Sequence, residues 1–471
     1  MTDRTMGPVD TIWLNMDTPE NLMVIDSLMV LDGPADWDRV SELFQKRLVE
    51  AYPSFRQRVK RPRAGIGSPH WNHDPNFLLS KHLIRHTLPD GEDSTLQRYI
   101  EEQMQIPLRQ TRPLWQAHLI DGYHKGSVIY SRIHHCIADG IALNEVMLSL
   151  TEATPDGDLP AEPAAGETPV DAQPSLVAQV QDAADHGLEI LTSAARTVAS
   201  VPSKFGPTAA IRAIDQLTGA LRQVARTGDV ADKLLLAEGA PQGPLTGTPG
   251  RSKRAVWCQP FALADIKLLG RKTGTTVNDV LMCAMAGALG GYLEEHGADR
   301  GDLPTMVPVN VRTPGQAPPA ELGNEFALVV VEYPTRLREP IERLMETHRR
   351  MDAIKNSPEA FIVFSGIRVI GLTVKELEKV LVGFFSSKAT GVTTNVPGPR
   401  EARYLGGSRI DGMLAWAPTA GDQTIAACIY TYNGQVWVGF KADADQVAEP
   451  EKLVSAFDAE VKELVRLAHA V

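Results

Sequence analysis

The spacing of apolar and polar positions predicts a chain of alternating strands and helices. An apolar run over residues 23–31 reads as a strand, and Val40, Leu43, Phe44 and Leu48 recur at helical spacing within residues 37–52. Residues 82–86 fit a strand. Residues 96–105 fit a helix, with Ser94 and Gln97 placed as a capping box. The β-branched and aromatic stretch from Val128 to His134 predicts a strand. A tight turn comes next, with Gly140 as its flexible residue, and then a helix to Leu150. Further on, the pattern gives a strand over 255–260 and helices over 263–273 and 281–294, with Asn278 and Asp279 near the start of the second, where they can cap it. Strands over 305–311 and 326–333 come next, then an exposed helix through Met351. Residues 391–399 read as a loop whose Thr and Gly can offer donors to a charged oxygen. Residues 425–432 and 435–442 form a hairpin around Asn433-Gly434 as a type I′ turn, and a helix over 450–470 closes the chain.

Residues 151–173 interrupt this rhythm with Pro, Ala, Gly and acids and read as a linker. Helical patterns over 175–198 and 208–226 come after it, then a second flexible link over 241–250. The organisation is therefore a domain over 1–152, a linker region over 153–253 and a second domain over 254–471, all of the α/β class. The 208–226 helix carries Arg212, Arg222 and Arg226 beside an apolar face. That pattern serves either packing within the protein or a lipid surface.

At 471 residues the chain can fill two cores. A net charge of −11 argues against nucleic acid as a partner. Cys136, Cys258, Cys283 and Cys428 lie far apart, which fits a reducing cytoplasm rather than a disulfide framework. No signal peptide is visible, and no apolar run reaches the ~18 residues of a membrane span. The apolar stretch 280–293 is short and broken by glycines, as a buried helix would be.

The chemistry concentrates at His134-His135-Cys-Ile-Ala-Asp139-Gly140. Neighbouring strand residues point to opposite sides, so only one of the two histidines faces a given pocket. An imidazole with its ordinary pKa of about 6.5 suits a general base. Asp139, in the turn, can fix local geometry or hold the imidazole. A pair of purely structural histidines is the alternative. His70/His73 and His82/His86 lack a matching carboxylate, so no metal is expected. Trp115 reads as core, and Arg56 and Arg58 as a solvated face. No G-x-S-x-G elbow, Walker A loop or G-x-G-x-x-G is present; Gly65-Ile-Gly67 stops short. A histidine base without a nucleophile points to direct transfer of an activated acyl group to a hydroxyl or amine.

The His134-His135-x-x-x-Asp139-Gly140 motif resembles that of the CoA-dependent acyltransferase superfamily. Its surroundings narrow the resemblance: Pro8-Val-Asp10, Asp17-Thr-Pro-Glu-Asn21, Phe55-Arg-Gln-Arg-Val59, Arg112-Pro-Leu-Trp115, Asn278-Asp279-Val280, Pro308-Val-Asn-Val-Arg312, Gly323-Asn324 and Asn395-Val-Pro-Gly-Pro399 stand in order. Together they resemble the bacterial wax ester synthase/diacylglycerol acyltransferase family. The resemblance implies two chloramphenicol-acetyltransferase-like domains with mixed sheets flanked by helices, a helical linker and a channel between the domains. It implies His135 as general base, with His134 supporting it and Asp139 and Gly140 shaping the turn, Asp139 pairing with an Arg. It also implies support from Asn278 and Asp279, and an oxyanion or substrate loop at Thr394 and Asn395, Thr394 standing where the family more often has Ser. The implied reaction moves a long-chain acyl group from acyl-CoA to diacylglycerol or a long-chain fatty alcohol, without a covalent intermediate. Acyl-CoA is a co-substrate, and no resident cofactor or metal is implied. The place of action would be the cytoplasm, peripheral to the inner membrane or lipid droplets. Two alternatives stand beside it: transfer to a carrier-bound polyketide or peptide acceptor, and a non-catalytic scaffold at a lipid-droplet or membrane surface.

Overall fold

Runs of Val, Ile, Tyr and Trp form the strands of two mixed sheets in the computed structural model, which describes residues 3–62, 67–157, 239–310, 321–355, 383 and 386–470. The main elements of the first half are α1 (Pro8–Met16), β1 (Val24–Leu31), α2 (Trp37–Leu43), β2 (Leu83–Thr87), α3 (Asp93–Met104), β3 (Trp115–Tyr123), β4 (Gly126–His134) and α4 (Gly140–Ser149). The second half carries β5 (Lys253–Trp257), α5 (Leu263–Thr273), α6 (Val277–Glu295), β6 (Leu303–Asn310), β7 (Phe326–Tyr333) and α7 (Pro340–Lys355). It continues with β8 (Gly391–Pro397), β9 (Ser408–Trp416), β10 (Ile425–Tyr432), β11 (Gln435–Asp443) and α8 (Glu451–Ala470). The helical patterns at 175–198 and 208–226 lie outside the described residues.

The second sheet has the order β7–β6–β8–β10–β11–β5, with β8 parallel to both of its neighbours. Its outer face packs on α6, whose stretch Asp279–Gly290 is buried without a break. Burial on all sides explains why this helix shows no amphipathic stripe. The first sheet runs β9–β1–β4–β3–β2, β4 being buried along its whole length. The strand β9 lies more than 375 residues from β1 in the chain and pairs with it from Ile410 to Trp416. The first sheet thus draws on both halves of the sequence.

The inner faces of the two sheets meet around buried charge. Asp26 on β1 accepts from Tyr130 Oη at 2.6 Å and from Arg132 Nε at 3.3 Å, both on β4. The ammonium of Lys441 on β11 stands 3.5 Å from the same carboxylate. Beside them Trp416 faces Trp257, ring centroids 6.0 Å apart. Gly439 lets the sheets approach, since a Cβ there would lie 2.8 Å from the Trp416 indole nitrogen.

Four local expectations need correction. Helix α3 starts at Asp93 behind Glu92, with no side-chain cap, so Ser94 lies inside its first turn rather than capping it. Helix α6 starts at Val277 rather than at Leu281; Thr276 is its N-cap, and of the two expected capping residues Asp279 serves, in a capping box with Thr276, while Asn278 does not. Residues 391–397 are the strand β8, not a loop. There β-branched Val392, Thr393, Thr394 and Val396 favour extended backbone, and Gly391 serves close packing, because a Cβ there would lie 2.2 Å from the Ile425 carbonyl oxygen. Gly140 is not a flexible turn residue. It opens α4 without a positive φ, and the turn is held by Asp139 as N-cap.

Candidate active site

Strand β4 ends at His134, and the residue just before its partner β1 fixes the next one: the His135 amide donates to the Met23 carbonyl at 2.8 Å. The Asp139 carboxylate then stops the turn. One oxygen accepts from the amides of Ile141 and Ala142 at 3.1 and 3.0 Å, and the other accepts from the Glu325 amide at 2.9 Å. The same side chain that starts α4 therefore anchors the segment before β7 against the histidine turn.

That segment places Asn324 on His135. His135 Nδ1 donates to Asn324 Oδ1 at 2.8 Å, while Asn324 Nδ2 donates to the His135 carbonyl at 2.8 Å and to Asp10 Oδ1 at 2.8 Å. The Asn324 amide nitrogen also donates to Asp10 Oδ1. The carbonyl of His135 can only accept, so the amide NH2 must face it and Oδ1 must face the ring. Nδ1 therefore carries the proton, and Nε2 keeps its lone pair. Trp13 of α1 stacks on the imidazole with centroids 3.9 Å apart, and Phe326 of β7 closes in at 5.6 Å.

Burial dominates the electrostatics. It pushes the His135 pKa down to about 4, against the opposing pull of the Asp139 charge and the Asn324 contact. Burial likewise pushes the Asp10 carboxyl up to about 6, opposed chiefly by its hydrogen bonds from Asn324. His134 faces elsewhere, as neighbouring strand positions should. Its Nδ1 accepts from the Cys136 amide at 3.1 Å, and its Nε2 stands 3.8 Å from Asp17.

The remaining candidates form a second group on the other half. Asn278 Oδ1 accepts from Asn395 Nδ2 at 2.9 Å, tying the start of α6 to β8. Asp279 caps α6 and holds His348 Nδ1 at 2.7 Å. Thr394 pairs across β8–β10 with Cys428, whose thiol pKa burial raises to about 11 against the opposing influence of the Thr394 side chain. Thr393, one residue away, points to the opposite face, toward Tyr333 and an apolar cavity under α6. The two groups approach each other where Asn144 of α4 donates to the Pro397 carbonyl at 3.5 Å and accepts from the Tyr430 hydroxyl.

Sequence reasoning singled out His135 but not its partners. Asp10 and Asn324 appeared only inside the ordered motifs Pro8-Val-Asp10 and Gly323-Asn324, and nothing in the sequence marked Trp13 as their companion. Among the described residues, no group of three or more His, Cys, Asp or Glu could hold a metal ion. His82 is a buried core residue, stacked between Phe77 and Trp115.

Residues 6–281 match the wax ester synthase/diacylglycerol acyltransferase catalytic domain, and residues 322–465 match the WS/DGAT C-terminal domain. A Mycobacterium tuberculosis protein provisionally named diacylglycerol O-acyltransferase Rv3087 is 28% identical, over 99% of this chain and 98% of its own. Another from that organism, provisionally named diacylglycerol O-acyltransferase tgs1, is 26% identical over 94% of this chain and 92% of its own. The solved wax ester synthase/diacylglycerol acyltransferase from Marinobacter aquaeolei VT8 superposes with a TM-score of 0.67 at 21% identity, covering 99% of this chain and all of that one. The first condensation domain of the calcium-dependent antibiotic synthetase shares the fold, with a TM-score of 0.56 at 17% identity over 99% and 96% of the two chains.

Proposed function

We propose that this chain, which belongs to the wax ester synthase/diacylglycerol acyltransferase family, moves a long-chain acyl group from acyl-CoA to the hydroxyl of diacylglycerol or of a long-chain fatty alcohol. The observation that carries the mechanism is the hydrogen bond from His135 Nδ1 to Asn324, which leaves Nε2 as a free base. Nε2 takes the hydroxyl proton as the oxygen attacks the thioester carbon. The tetrahedral intermediate collapses, the C–S bond breaks, and the imidazolium returns its proton to the thiolate. The products are the ester and free CoA. No protein nucleophile is needed, in keeping with the buried, high-pKa thiols of Cys136 and Cys428.

A thiolate departs readily, so collapse of the intermediate does not depend on prior protonation of the sulfur. Thr394 is the side chain we assign to the oxyanion, its hydroxyl turning toward the developing charge. Such a donor contributes about 3–4 kcal/mol in acyl transfer. The acceptors are lipids, and the enzyme meets them at a membrane or lipid-droplet surface from the cytoplasm. Among the described residues no helix is long and apolar enough to cross a membrane.

The test is free-thiol release from palmitoyl-CoA, with dipalmitin and hexadecanol supplied in separate reactions, for wild type beside His135→Ala. Acceptor-dependent release that disappears in the folded variant is the expected result. Undiminished release in His135→Ala would overturn the assignment of the base. Release with neither acceptor would redirect the search to carrier-bound acceptors or to a scaffold role.

A further inference from the structure

We infer that Asn324 is a positioning residue for the transfer reaction: held by Asp10, its neutral amide selects the His135 tautomer and keeps negative charge away from Nδ1. The inference rests on His135 being the base.

Histidine bases are commonly oriented by a carboxylate at the second ring nitrogen, which also stabilises the imidazolium. Here the carboxylate lies one residue further out. Asp10 Oδ1 accepts from both nitrogens of Asn324, and Asn324 in turn offers Oδ1 to the ring. Asn324 spends its side-chain amide protons on Asp10 and on the His135 carbonyl, so it cannot rotate to present NH2 to the ring without losing both bonds. All three side chains are buried, so water cannot readily replace any of these contacts.

Among the described residues, the other charges facing this cluster do not take over the role. Asp139 acts on His135 through space while its oxygens accept backbone amides of α4 and of Glu325. Asp17 stands beside His134 rather than His135, and Arg4 acts on Asp10. His134 adds a small opposing influence on its neighbour. The orientation of the base therefore depends on a residue 189 positions away, reaching across from the second half.

Two variants of the full chain test this against His135→Ala, in the palmitoyl-CoA thiol assay with lipid acceptor. Asn324→Ala should lower kcat by about 100-fold, the scale expected when a catalytic group is slightly misplaced, with KM for palmitoyl-CoA within about twofold. The double substitution Asp10→Asn with Asn324→Asp exchanges amide and carboxylate between the two positions and brings the charge to the ring. It should move the acid limb of the rate profile up by at least about one pH unit. A purely structural role would leave that limb in place. In the wild type, nitrogen-15 spectra of labelled histidine, assigned with His135→Ala, should show Nδ1 protonated and Nε2 bare whatever the variants do. An Nδ1 without its proton overturns the inference. So does full activity in Asn324→Ala, or an unmoved acid limb in the active double variant, while His135→Ala stays inactive. Activity retained in His135→Ala overturns instead the reading on which the inference rests.

Discussion

The Trp13 indole lies nearly parallel to the His135 imidazole, their planes 13° apart and their centroids 3.9 Å apart. Stacking restrains the ring against rotation and covers one face from water. An aromatic pair is worth about 0.5–1.5 kcal/mol beyond its buried area, so Trp13→Ala should cost roughly three- to tenfold in kcat. Trp13→Phe should recover most of the loss. Steady-state kinetics at saturating acyl-CoA decide the matter, and an unchanged kcat in a folded Trp13→Ala protein would contradict the restraining role.

The pH profile is set by burial. With the His135 pKa near 4, the proposed base stays neutral well below pH 6.5, and transfer should hold steady from neutrality to about pH 5 before falling. An acid limb centred near 6.5 would mean that the imidazole is hydrated in the working enzyme.

The same groups tie stability to pH in opposite senses. Between about pH 6.5 and 4 the unfolded chain binds a proton at His135 that the native state refuses, so this contribution to stability is lost as pH falls. Asp10, raised to about 6, binds its proton more readily when folded, and between about pH 6 and 4 its contribution grows as pH falls. His135→Ala should therefore gain stability relative to wild type on going from pH 7 to pH 5, as urea unfolding would record. A constant difference across that range would exclude the linkage.

Buried charge between the sheets should be intolerant of losing its anion. Asp26→Asn leaves the Arg132 guanidinium and the Lys441 ammonium without their shared carboxylate. Breaking a buried ion pair from one side costs about 3–5 kcal/mol. The unfolding midpoint in urea should fall accordingly, and a loss under about 1 kcal/mol would show that water reaches the site.

Gly140 offers a cleaner separation of stability from function. A Cβ at this position would meet nothing within 4 Å, and the backbone does not need glycine there. Gly140→Ala should leave the thermal midpoint unchanged or raise it slightly, since alanine favours helix by up to about 1 kcal/mol. It should lower kcat/KM for palmitoyl-CoA, because the methyl group enters space beside the histidine turn. An unchanged kcat/KM would free this glycine from any role in substrate access.

What the sequence revealed depended on how local the cause was. Helix 263–273 and strands 326–333 and 425–432 emerge with the bounds that periodicity assigned, and Asn433 and Gly434 both take the positive φ of a type I′ turn. Strand β8 was hidden by its glycine and its terminal proline, and β9 by Gly412, where its register against β1 shifts. The site divided in the same way. His134, His135, Asp139 and Gly140 fall within seven residues and can be read as one motif. Asn324 and Trp13 reach His135 only through the tertiary fold, and no spacing rule connects them to it. Asp139 was legible as a turn residue, while its hold on the Glu325 amide was not.

The placement of β9 bears on how the chain comes to be folded during its synthesis. Until Trp416 has left the ribosome, β1 presents an unpaired edge to the cell. At roughly 5–20 residues per second, the interval between Leu31 and Trp416 lasts on the order of 20–80 s. An open edge beside apolar surface is an aggregation hazard for that whole period. A nascent first half would then need shelter by a chaperone, and a fragment ending after α4 would precipitate where the full-length protein stays in solution.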